Sequence, residues 1–135
     1  MSDEFEQQEW VKLGVAAALS RQYGEDQRNF LEMLADMLSS AMPGEVEIKR
    51  RGGLFSKKTL QSVTIVLGDQ RYTMEDPGYG SLHASRTKIV RGIALKTEAM
   101  EVPDWLESLG ASLEEKMRVS STAREALSRL LGPPI

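Results

Sequence analysis

His83 is the single histidine of the chain, and histidine is the side chain whose ordinary pKa suits proton transfer near neutrality. Ser81, Ser85 and Asp76 lie close to it in sequence, and these are the residue types of a Ser–His–Asp nucleophilic system. Such a system also needs a nucleophile held on a sharp turn, as in GxSxG, and a pair of donors for the oxyanion. The sequence has no GxSxG, so His83 reads as an ordinary strand or loop histidine. Glu32 and Asp36 stand four residues apart and would share a helix face. Paired carboxylates hold metals or exchange protons. No histidine accompanies these two at helical spacing, and Arg28 precedes Glu32 by four, so a solvated polar face explains them better. Met33, Met37 and Met42 with Phe30 have the makings of a soft partner groove, yet they fall on or beside the apolar stripe of their segment, and core is their expected role. With no cysteine, disulfides, thiolate catalysis and Cys-based zinc sites are excluded. The expectation is a protein that is no enzyme and carries no metal or cofactor.

A different chemistry stands in the stretch RRGGLFSKK, Arg50 to Lys58. It lacks the GxxxxGK[ST] spacing of a phosphate cradle, and no helix is predicted behind it. What it offers is Leu54 and Phe55 between Arg50, Arg51, Lys57 and Lys58, with Gly52–Gly53 supplying the positive φ of a turn. Between Ile48 and Gly68 there are five bases and no acid. From Pro77 to Thr97 come Arg86, Lys88, Arg91 and Lys96, with His83 and again no acid. If these segments share a sheet, the cations spread over one end and face of it. An apolar tip ringed by cations suits an anionic surface. The competing reading folds Leu54 and Phe55 onto the core and leaves the lysines to guard a sheet edge.

The elements that would position this stretch follow from hydrophobic period. Residues Asp3 to Tyr23 read as a helix with Val11, Val15, Ala18 and Leu19 on one stripe, widened by Leu13, Ala16 and Ala17. Gly24 is the expected break, and Asp26 the cap of a second helix to about Ser40 with Phe30, Leu31, Leu34, Leu38 and Met42 inward. One long kinked helix is the competing reading. Trp10, Leu13, Gly14, Tyr23 and Phe30 faintly resemble a tetratricopeptide unit. Only one copy is arguable, where a solenoid needs several, so an ordinary helical hairpin is expected. The period then becomes two. Val46 and Ile48 share a face, as do Val63, Ile65 and Leu67, and then Tyr72 and Met74. Glu75 to Gly80 form a loop. Residues 82–97 supply a fourth strand through Ile89, Ile93 and Leu95, with a bulge or break at Ser85–Arg86. Pro103 opens a helix with Leu106, Leu109, Leu113 and Met117 inward. A capping box at Thr122–Glu125 opens a last short helix. The expected fold is a single α+β domain over 1–135, with a helical hairpin, a four-stranded antiparallel meander and two C-terminal helices.

The net charge of −3 is unevenly spread. Residues 1–44 carry net −5, residues 45–98 net +4 and residues 99–135 net −2. A basic middle between acidic ends bears on partners rather than on fold. The N-terminus MSDEFEQQEW has no secretory pattern, and no apolar run is long enough for a bilayer. A cytoplasmic interaction module is expected, one that meets an acidic protein or lies peripherally on an anionic lipid surface. Its expected binding residues are Arg50, Arg51, Leu54, Phe55, Lys57, Lys58, Arg86 and Lys88. Low-specificity nucleic-acid binding is the alternative, weakened by the lack of alternating aromatics on the strands. The broad apolar girth of the first helix also predicts a homodimer through the N-terminal helices.

Overall fold

A computed structural model describes residues 3–54, 58–119 and 125, with the backbone alone for residues 3–13. Helix α1 spans Asp3–Glu25 and α2 spans Gln27–Ala41. They are two helices rather than one kinked one, and the break lies at Asp26 rather than Gly24. Asp26 leaves helical geometry at φ −151°, and its carboxylate accepts from the Asn29 backbone N–H at 3.2 Å and from Asn29 Nδ2 at 2.8 Å. These bonds satisfy one of the donors a helix start leaves open. They also hold the Asp26 carboxyl below the ordinary aspartate range, the Asn29 side-chain bond contributing most. The α2 stripe is buried as its period requires: Phe30, Leu31, Leu34, Leu38 and the capping Met42 are all inside.

Five strands follow: β1 (Val46–Arg51), β2 (Thr59–Leu67), β3 (Gln70–Glu75), β4 (His83–Val90) and β5 (Ile93–Met100). They form one antiparallel meander in chain order. The expected four strands become five because residues 82–97 are not one strand. Arg91 and Gly92 turn the chain back with φ of 51° and 79°, and Val90 pairs with Ile93 across a two-residue turn. Positive φ at both central residues is the type I′ hairpin, whose twist matches that of the strands. The irregularity also lies elsewhere than Ser85–Arg86: the register shifts between Lys88 and Ile89, leaving Leu95 as the extra residue on β5.

One face of the sheet is apolar. Val63, Ile65, Leu67, Tyr72 and Met74 are buried there, and helices α2 and α3 (Val102–Val119) cover it, α2 over β1 and β2, α3 over β2 and β4. Helix α1 packs chiefly along α3 and also touches α2. Gly110 of α3 meets Ala16 of α1 so closely that a Cβ at 110 would stand 3.0 Å from Ala16 Cα, Cβ and N. Trp105, Leu106, Leu109 and Leu113 complete the cluster that joins helices and sheet. The ring of Tyr72 meets Trp105 edge-on at 5.9 Å. Of the two C-terminal helices expected, α3 is the one described, while the second, at 122–131, falls outside the described residues save Glu125. Phe55 and Lys57 fall outside them too.

Candidate interaction site

Strand β1 ends at Arg51 and β2 begins at Thr59, so the loop between them leaves the sheet at the same end as the β3–β4 loop. Gly52 and Gly53 take φ of 86° and 125°, values that L side chains adopt only under strain. They release Leu54 from the sheet, and its side chain is 92% exposed. Lys58 lies back over this turn, its stem where a Cβ on Gly53 would sit. Leu54 is therefore an apolar residue in water, next in the chain to the turn that the Lys58 stem overlies.

The two arginines are less free than the sequence suggested. Arg50 reaches across to α2 and pairs with Glu32 at 3.1 Å, both side chains near half exposed. Arg51 donates from Nη2 to the Asp76 backbone carbonyl, and its Nη1 occupies the space a Cβ on Gly78 would need. Gly78 in turn donates its N–H to the Asp76 carboxylate at 2.8 Å. Arg51 is thus a bracket between the β1 end and the β3–β4 loop. It still contributes charge to this end of the sheet, but its guanidinium is partly committed.

Arg86 and Lys88 do not join the loop. Lys88 pairs with Gln70 beside the β2–β3 turn, whereas Arg51 pairs with Thr59. The length of β2 separates them, about 25 Å at a strand rise of about 3.3 Å per residue. Arg86 belongs to a part-buried polar network. Its Nη1 donates to Ser108 Oγ at 2.9 Å, and its Nη2 lies 3.3 Å from Glu98. The Tyr72 hydroxyl completes the network, 2.9 Å from Ser108 Oγ and 2.7 Å from Ser112 Oγ. These bonds tie α3 to β3 and β4, and such groups under a helix stay favourable only when each finds a partner.

His83 is exposed at the start of β4, directly opposite Glu75 on β3. The Asp76 carboxylate accepts from Gly78 N–H, and among the described residues no hydrogen bond links His83 to Asp76, Ser81 or Ser85 into a hydrolytic triad. Among the described residues no three or more His, Asp or Glu converge as a metal site, and no helix is long and apolar enough to cross a membrane.

Two surfaces escaped the sequence reading. The face of the sheet away from the helices carries Thr64 hydrogen-bonded to Thr73 and Thr87 to Thr97. Over β1–β3 it forms an open groove of roughly 470 Å3 with Glu45, Glu47, Lys49, Arg71 and Glu75 along it. Mixed charge gives that groove no preference for one sign of ligand. The signal for it was present, since Thr64 and Thr73 occupy the polar half of the period-two pattern. The other surface is the β4–β5 hairpin, where Val90, Ile93 and Leu95 are 39%, 63% and 61% exposed. Against models of known protein families, curated proteins and solved structures, the chain gives no match.

Proposed function

We propose that this chain is a non-catalytic interaction module that docks an anionic surface through the β1–β2 loop. The observation that supports the reading is Leu54, 92% exposed on a turn built by two positive-φ glycines, within a stretch of five bases and no acid. A leucine in water at a loop tip gains free energy only when something covers it. The surrounding charge selects a negative cover, and Lys58, Lys57 and the exposed part of Arg50 supply the attraction. Arg51 acts mainly by holding the loop against the β3–β4 loop. Arg86 and Lys88, first grouped with these residues, stand outside the docking site.

The test is a binding series with three probes at several salt concentrations: vesicles rich in phosphatidylserine, a polyglutamate peptide and a duplex oligonucleotide. Binding to vesicles or to polyglutamate is expected, and which of the two binds separates a lipid surface from an acidic protein. A cation beside an anionic surface contributes about 1 kcal/mol. Reversing two of them in the double variant Lys57→Glu, Lys58→Glu should therefore weaken binding by roughly thirtyfold or more, with the melting temperature nearly unchanged. Binding to the oligonucleotide alone would replace this reading with nucleic-acid binding. Equal binding by the parent and the double variant would remove the loop from the site.

A further inference from the structure

We infer that two copies of this chain join through their β5 strands, antiparallel about a two-fold axis at Thr97, to form one continuous ten-stranded sheet. Among the described residues strand β5 is an edge, its one neighbour β4, and its residues from Ile93 to Glu98 are exposed along their length. An open edge presents backbone donors and acceptors to any matching strand. Neither α2 nor α3 has its main packing on β5. Strand β1, the other edge, lies under α2.

The pattern of β5 chooses the partner. A two-fold axis perpendicular to a sheet keeps each side chain on its own face. Because side chains alternate along a strand, a residue can then lie opposite itself but not opposite its chain neighbour. Centred on Thr97, the register sets Lys96 opposite Glu98 of the second copy, twice over. It also sets Leu95 opposite Ala99 and Ala94 opposite Met100. Centred one residue either way, it sets lysine against lysine or glutamate against glutamate, which is unfavourable. Centred on the bulged Leu95, it leaves Lys96 without an acid.

A second observation points the same way. Within one chain Lys96 sits directly opposite Lys88, a like-charge pair on adjacent strands, while Glu98 beside it is held by Arg86 at 3.3 Å. Joining two copies makes the row Arg86, Glu98, then Lys96 and Lys88 of the second copy, so these lysines, which make no ion pair among the described residues, meet an acid across the axis. On the opposite face the Thr87–Thr97 hydroxyl pair, 2.7 Å apart, extends into a row of four threonines. Strand β1 carries Glu47 and Lys49 two apart, but it lies under α2, to which Arg50 is tied through Glu32.

The test is sedimentation of the full chain and of two single variants. Lys96→Glu sets acid against acid across the axis, and Glu98→Lys sets base against base. Each alone should raise the dimer dissociation constant at least tenfold. An equimolar mixture of the two restores acid opposite base at both pairs and should dimerise as the parent does. Lys96→Glu also relieves the Lys88–Lys96 repulsion, so its melting temperature should not fall, which separates lost association from lost folding. The chain has no native cysteine, so Thr97→Cys should form an inter-chain disulfide under mild oxidation, opposed residues lying within disulfide reach. A parent that is monomeric at every concentration overturns the inference. So does a dimer that survives both single variants and yields to Lys49→Glu on β1.

Discussion

Replacing Gly110 by alanine sets two well-measured effects against each other. In a helix interior alanine is favoured over glycine by about 1 kcal/mol, so an unobstructed site would gain that much. Gly110 is obstructed. The added Cβ would stand 3.0 Å from Ala16 Cα, Cβ and N, where carbon atoms prefer about 3.5–4.0 Å. Two of these neighbours are backbone atoms of α1, so relief requires the two helices to move apart by about half an ångström or more. Overpacking of this kind costs about 1–3 kcal/mol. The net expectation for Gly110→Ala is a loss of about 1 kcal/mol. For a chain of 135 residues that is a fall in melting temperature of about 3–4 °C. Calorimetry of Gly110→Ala beside Ala111→Gly reads both terms, because exposed Ala111 reports the propensity effect without the crossing. Gly110→Val should lose several times more than Gly110→Ala. A rise of about 3–4 °C for Gly110→Ala would refute the close crossing of α1 and α3, since propensity would then act unopposed.

Tyr72→Phe keeps the ring against Trp105 but removes a hydroxyl bonded to two serines. It should cost about 1–2 kcal/mol, seen as a lower urea midpoint with an unchanged slope. Asp26→Ala should lower stability at neutral pH. The folded Asp26 pKa is depressed, so its contribution is complete above the ordinary aspartate range and disappears as pH falls through the folded value. Melting curves of parent and variant should therefore converge as the pH falls below the folded value. Phe55→Ala should change the melting temperature little and weaken binding to the anionic probe; a stability loss of about 3–5 kcal/mol would make it a core anchor instead. His83→Ala should leave probe binding unchanged, and a hydrolytic activity abolished by it would overturn the non-catalytic proposal.

The sequence by itself determined the elements whose residues repeat at one period. The stripes Phe30–Leu31–Leu34–Leu38 and Leu106–Leu109–Leu113 are buried as read, and so are Val63, Ile65, Tyr72 and Met74. Burial of one face imposes that period directly on the chain, so it is legible without knowledge of any neighbour. The turn at Gly52–Gly53 was legible for a similar reason, because two adjacent glycines mark a turn locally, while the sequence left Leu54 between solvent and core. The hairpin at Arg91–Gly92 was not, because arginine is an uncommon positive-φ residue and the segment beyond it is exposed on both faces and keeps no period. Tertiary structure alone decided what each cation does. Arg50, Arg51 and Arg86 look alike in sequence. The fold gives Arg50 a carboxylate on α2, Arg51 a loop carbonyl and Arg86 a serine of α3. A guanidinium bonds to whatever acceptor lies a few ångströms away in space, and these three acceptors are 18 to 25 residues away along the chain. The same holds for β5: its alternating charges are written in the sequence, but only the order of strands in the sheet makes it an edge.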